Sequence, residues 1–308
     1  MPPRSSTPKC TATSNRKEGA QTMEKKFHYA STEGRLGMSK EALATHWEHA
    51  IPVYRNAPHV WNVGGQDNVA SFLLDTGEGL ILIDTGLCPE TLYLLIDRIW
   101  RSGHDPKDIK KIFLTHWHGD HSCCARVLHE MTGAEIWLSK EDEAEHQKHA
   151  EDTFPAYVTP YTVTNFYDME HPLTMGRFTI TFRLCPGHTP GVTSFFFEDT
   201  DEKTGKTYRC ALHGGLGVGQ MSKEGVIKTG TDPELPHRFI KDCYELAKMP
   251  VDIALASHLN QNNILPNIPK DPDDYTVFVA DYAWADVLIN RAEAVKKFYP
   301  EIYGTSGQ

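Results

Sequence analysis

Residues 69 to 83 read Val-Ala-Ser-Phe-Leu-Leu-Asp-Thr-Gly-Glu-Gly-Leu-Ile-Leu-Ile, and this order of apolar and polar positions sets the first elements. Val69, Ser71 and Leu73 alternate with Ala70, Phe72 and Leu74, so both faces of the extended chain are apolar and a central strand is expected. The turn at 76 to 79 joins it to an apolar strand over 80 to 83, a buried β-hairpin, and Asp84-Thr85-Gly86 ends that strand. Before it, residues 39 to 49 have the spacing of a helix. After it, Leu92, Leu94, Leu95, Ile96 and Ile99 predict a helix over 91 to 100, and Gly103 separates it from a strand over 109 to 114. A helix over 122 to 131 stops at Gly133, a strand follows over 135 to 138, and 141 to 151 is a charged, exposed helix. Strand and helix alternating in this way indicate an α/β layer arrangement.

The second half repeats the theme more weakly. Residues 178 to 184 alternate, 192 to 197 form an aromatic strand ending in a charged turn over 198 to 206, and 208 to 212 is the returning strand. Phe239, Ile240, Cys243 and Leu246 make 236 to 247 amphipathic. An apolar strand over 251 to 256 delivers Ser257 and His258, and a helix over 282 to 298 closes the chain. Nothing marks a flexible linker, so residues 23 to 308 are expected to form one domain of two βα-rich halves.

Composition narrows the class. The 308 residues carry 31 Lys and Arg against 41 Asp and Glu, a net charge of -10, which argues against a nucleic-acid surface and for a small-molecule substrate. Residues 1 to 22 are rich in Ser, Thr, Pro, Lys and Arg and read as a disordered N-terminal extension, with Met23 an alternative start. No stretch has the length and apolarity of a signal peptide or a membrane span. Seven cysteines form no Cys-x-x-Cys pair, so reduced thiols in a cytoplasmic protein are expected.

The chemistry concentrates at 110 to 121, Lys-Lys-Ile-Phe-Leu-Thr-His-Trp-His-Gly-Asp-His. At the end of a buried strand His116 and His118, two apart, point the same way and can grip one metal ion. Gly119 lets the backbone turn, bringing Asp120 and His121 to a neighbouring position for a second. Of the other histidines, His28, His46, His49, His104, His146, His149 and His171 sit in polar or helical contexts that suit solvated or capping side chains. His188 lies in the rigid loop Cys-Pro-Gly-His-Thr-Pro-Gly (185 to 191), and His258 ends an apolar strand. Cys123 and Cys124 read as small core residues at the start of a helix.

These pieces resemble the metallo-β-lactamase superfamily. The resemblance spans roughly residues 60 to 260 and rests on Leu82-Ile-Asp84-Thr-Gly86, the His116 to His121 motif, the His188 loop and His258. It implies an αββα metallo-β-lactamase sandwich with metals at one edge between two sheets. It also implies that His116, His118 and His188 bind a first metal, that Asp120, His121 and His258 bind a second, and that Asp84 is a buried carboxylate supporting a ligand imidazole. Most hydrolases of the family, lactonases among them, carry a bridging Asp after the strand matching 208 to 212, and other β-lactamases carry a Cys. Here the segment is Cys210-Ala-Leu-His213-Gly-Gly-Leu-Gly217, with His213 an alternative donor. The pattern is similar to the β-lactamase subclass whose second zinc is held by Asp, His and His alone.

Five histidines and one carboxylate favour two zinc ions over magnesium or manganese. Such a pair lowers the pKa of a shared water, and Asp120 would orient the resulting hydroxide. The excess positive charge favours a carboxylate-bearing substrate, so hydrolysis of a β-lactam is the leading expectation. A cytoplasmic hydrolase of a lactone, ester or other amide is the nearest alternative, and an iron enzyme resembling persulfide dioxygenases is a more distant one.

Overall fold

The computed structural model describes residues 50–64, 69–86, 91–149, 160–262 and 264–304. The N-terminal extension and the helix expected over 39 to 49 lie outside the described residues. Twelve strands are described: β1 (Tyr54–Ala57), β2 (Val60–Asn62), β3 (Phe72–Asp75), β4 (Leu80–Ile83), β5 (Ile109–Phe113), β6 (Glu135–Leu138), β7 (Asn165–Phe166), β8 (Leu173–Met175), β9 (Phe178–Leu184), β10 (Thr193–Asp201), β11 (Lys206–His213) and β12 (Ile253–Ala256). They form a seven-stranded sheet in the order β1 to β7 and a five-stranded sheet in the order β12-β11-β10-β9-β8. The helices are α1 (Leu92–Arg101), α2 (Gly119–Ser122), α3 (Ala125–Thr132), α4 (Lys140–Lys148), α5 (Lys223–Thr229), α6 (Leu235–Leu246), α7 (Ala283–Lys296) and α8 (Pro300–Tyr303).

The alternation along β4 shows how the layers arise. Ile81 and Ile83 face a core shared with Phe72, Phe113, Phe182, Phe195 and Leu255, which fills the space between the two sheets. Leu80 and Leu82 face the opposite way, onto Leu95 and Ile99 of α1 and Leu128 of α3. On the far side of the second sheet Ala211 and Ala254 pack against Phe239 and Cys243 of α6 and Trp284 and Leu288 of α7. Every strand of the hairpin is therefore covered twice, which is why its sequence is apolar on both faces. The result is the αββα sandwich that the motif resemblance implies.

The sheets meet at one edge. Val69 and His258 form an isolated antiparallel bridge, and Ala70 N donates to Ser257 O at 3.0 Å. Nearby, Thr193 N donates to Thr115 O at 2.9 Å, joining the start of β10 to the chain leaving β5.

Three expectations need correction. The helix expected over 122 to 131 is two helices, broken where Cys124 N donates to Thr85 Oγ1 at 3.2 Å. Strand β10 runs on through the charged residues to Asp201, because Asp199 turns inward and accepts from His59 N and lies 2.7 Å from His59 Nδ1. The short strands β1, β2, β7 and β8 and the helices α5 and α8 were not expected.

Candidate metal centre

Two parallel neighbours, β4 and β5, end side by side and release the residues of the centre. Asp84 leaves β4 with φ 59°, a left-handed backbone that Asp tolerates better than most residues. That turn sends its carboxylate across to the next strand end. Oδ1 accepts from Thr115 N at 2.8 Å, and Oδ2 accepts from Thr115 Oγ1 at 2.8 Å and contacts His121 Nδ1 at 2.8 Å. Thr85 N and Oγ1 both donate to His121 O, at 2.7 and 3.0 Å. The loop carrying His116 to His121 is thus clamped at both ends before any ion is considered.

These bonds fix the imidazoles. Thr115 has one hydroxyl proton, which goes to Asp84, so His116 Nδ1, 3.0 Å from that hydroxyl, is the donor of the pair. His116 Nε2 then presents a lone pair, and it is buried with no hydrogen-bond partner. His121 Nδ1 faces a carboxylate and His188 Nδ1 faces Gly217 O at 3.1 Å, so both donate from Nδ1 and turn Nε2 toward the centre, where that of His188 is an acceptor. Lone pairs converge where an ordinary core would need donors.

His116, His118 and His188 bring one nitrogen each to within 4.8 Å of one another, and His116, Asp120 and His121 form an overlapping group with the same spread. His118 Nδ1 lies 3.0 Å from His188 Nε2. His258, at the end of β12, places Nε2 3.3 Å from His121 Nε2 and 3.7 Å from Asp120 Oδ2. All six residues named from the sequence are therefore brought together. An orphan buried nitrogen, outer nitrogens already spent on fixed acceptors, and a donor set of imidazoles with one carboxylate fit zinc.

Electrostatics agree with that fit. Burial, with the neighbouring imidazoles of His121, His118 and His188, holds His116 well below its ordinary value and keeps it neutral. Burial opposes charge on His121 too, but the carboxylates of Asp120 and Asp84 outweigh it and lift the ring to about 9. A dication on Nε2 would take the place of that proton.

His213 stands apart. It belongs to neither donor group, and its ring lies 6.0 Å from that of Phe239 on the outer face of the second sheet. The segment that follows it explains the shape of the centre. A Cβ on Gly214 would meet Thr193 O at 2.2 Å, and one on Gly217 would meet His188 Cε1 and Nδ1 at 2.8 Å. Glycine here is a condition of the close approach, so no side chain, acidic or otherwise, can reach the centre from these positions.

Of the remaining histidines, His146 stacks on Tyr161, His171 contacts Asp168 on the surface, His104 packs against Trp61, and His149 stacks on Trp117 beside the centre. His28, His46 and His49 are outside the described residues. Cys123 and Cys124 are buried. Sequence reasoning missed Asp142, which the charged pattern of α4 assigned to an exposed face; it is fully buried behind Trp117 N. An acid three residues after Ser139 at a helix start reads as ordinary capping, so the sequence held no separate signal for it.

Residues 64–201 match the family model described as the Metallo-beta-lactamase superfamily. In fold the chain is similar to the metallo-beta-lactamase GOB-18 from Elizabethkingia meningoseptica, with a TM-score of 0.74 and 24% identity over 83% of this chain and 95% of that one. It is also similar to BJP-1, a subclass B3 metallo-beta-lactamase of Bradyrhizobium japonicum, with a TM-score of 0.70 and 20% identity over 84% of this chain and 96% of that one. An N-acyl homoserine lactonase of Bacillus thuringiensis is 25% identical over 210 residues, covering 61% of this chain and 79% of the relative. The class that fold, site and relatives define is the metal-dependent hydrolase. Residues 64–201 carry the sequence pattern of that superfamily.

Proposed function

We propose that the protein is a two-zinc hydrolase that opens a cyclic amide of the β-lactam type. His116, His118 and His188 would hold one ion and Asp120, His121 and His258 the other. Bound there, the ions would supply an activated water and Lewis acidity toward a carbonyl oxygen. Asp120 Oδ2, beside His121 and His258, is the acceptor that would orient that water toward the substrate.

The observation that carries this reading is the carboxylate-poor donor set, closed by the glycine segment after His213. One ligand carboxylate against two dications leaves the centre strongly positive, which suits a substrate with its own carboxylate next to the scissile bond. Similarity in fold to the GOB-18 and BJP-1 enzymes supports it. The lactonase relatives favour a second reading, the opening of an acyl lactone. Against that stands the segment 210 to 217, which carries no Asp or Glu where lactonases of the family carry a bridging Asp.

Turnover of a penicillin, a carbapenem and an N-acyl homoserine lactone by zinc-loaded protein tests both. The expected result is lactam hydrolysis that His118→Ala abolishes. Lactone turnover without lactam turnover would transfer the assignment to the second reading. Iron bound in preference to zinc would end both.

A further inference from the structure

Asp142 lies in the first turn of α4, which follows β6, and its carboxylate points inward. Burial pushes its carboxyl up to about 7, against the donors that surround it. Those donors come from two loops. Oδ2 accepts from Trp117 N at 3.0 Å, between His116 and His118, and from Thr189 Oγ1 at 2.8 Å, the residue after His188. Oδ1 accepts from Gly191 N at 2.6 Å in the same His188 loop.

The surroundings are built for this contact. Ser139, the cap of α4, accepts from Asp142 N and donates to Gly191 O at 2.8 Å, and Thr193 Oγ1 donates to that carbonyl as well. A Cβ on Gly191 would lie 2.2 Å from Ser139 Oγ and 2.6 Å from Asp142 Oδ1, so only glycine admits the carboxylate. The loop before Trp117 leaves the first sheet and the loop holding Thr189 leaves the second. Nothing in α4 itself requires the acid to be buried, because its Glu141 and Glu143 neighbours already serve the helix N-terminus.

We infer that Asp142 is a positioning residue that assembles the three-histidine cluster, holding the His116/His118 loop and the His188 loop in one register across the two sheets. Asp84 holds His121 directly and His116 through Thr115, so the centre has two buried carboxylates with different partners. Three donors need an acceptor-only group, which the ionised form of the carboxyl supplies and an amide does not. An amide at this position would turn its own N–H groups toward Trp117 N or Gly191 N and release one of the loops. The inference rests on the two-zinc reading above.

Cobalt or zinc titration of metal-free protein, followed by the visible ligand-field bands of cobalt and by competition with a chelator, separates the two. In a His258→Ala background, where the three-histidine cluster is intact, Asp142→Asn is expected to weaken metal binding about ten- to a hundred-fold and to shift the cobalt bands. In a His118→Ala background, where Asp120, His121 and His258 are intact, the same substitution is expected to leave binding unchanged. Thr189→Val, which removes one donor and keeps the carboxylate, should give a smaller loss confined to the first background. Equal losses in both backgrounds, or none in the first, would overturn the inference while leaving the metal centre in place. Wild-type protein that takes up neither metal would overturn both.

Discussion

At the scale of single residues, two buried groups set measurable consequences. Asp84 satisfies Thr115 N, Thr115 Oγ1 and His121 Nδ1 together, so its loss strands donors that water cannot reach. Asp84→Asn is expected to cost about 1–3 kcal/mol in stability and to weaken zinc at the His121 position about ten- to a hundred-fold. Asp84→Ala should cost about 1 kcal/mol more, because alanine is strained at a φ of 59° where Asp and Asn are tolerated. Urea unfolding and metal titration read the two effects, and an Asn variant that keeps wild-type zinc affinity would refute the coupling. His213 supplies a pH dependence. Its Nδ1 accepts from Gly215 N at 3.2 Å and its ring is fully buried, so protonation would both desolvate a charge and break that bond. Burial, with a smaller push from Arg183, lowers it from 6.5 to about 3. The unfolded chain therefore takes the proton first: the stability is present above pH 6.5 and is lost as pH falls toward 3. By pH 5 the loss from this group is about 2 kcal/mol. In metal-free protein His213→Asn should lose correspondingly less between pH 7.5 and 5, and parallel curves for the two proteins would dismiss the assignment.

At the scale of elements, most of what positions the centre was legible. The hairpin of β3 and β4 and the strand β12 announce themselves by continuous apolar runs, β5 by the run of Ile112, Phe113 and Leu114 at its end, and α6 by amphipathic spacing. Elements whose local composition hides their tertiary role were not. Strand β1 reads Tyr-Arg-Asn-Ala and is buried through neighbours rather than through its own hydrophobicity, and β7 has two residues. The end of β10 looks like a turn until His59 N is seen to donate to the inward Asp199. The candidate donors were legible because imidazoles and carboxylates are rare in such density; the burial of Asp142 was not, because the loops it contacts meet only in three dimensions. The glycine segment after β11 tests this close packing. Gly214→Ala would drive a methyl group against Thr193 O, whose own N–H binds Thr115 O, and should cost about 3 kcal/mol or more while lowering metal affinity. Gly219→Ala, with nothing within 4 Å, should change stability by less than about 0.5 kcal/mol. Similar unfolding midpoints for the two variants would show that the strand end has room the geometry denies.

For the whole molecule the centre is a fastener between sheets. His116, His118, Asp120 and His121 leave the first sheet, His188 and His258 leave the second, and the backbone bonds that join the two nearby are the bridge of Val69 to His258, Ala70 N to Ser257 O and Thr193 N to Thr115 O. A ligand bound only by the folded chain stabilises it by an amount set by its concentration over its dissociation constant, about 4 kcal/mol at a thousandfold excess. For a domain of this size that corresponds to a rise of roughly 10 °C in Tm. Chelation should therefore lower Tm by about that much, the midpoint should climb with free zinc, and His258→Ala should retain only part of the rise because the three-histidine cluster is still whole. Unfolding followed by circular dichroism across a zinc series measures all three. Identical midpoints with and without zinc would mean that the donors are held by the fold alone and that the sheets need no ion to stay closed.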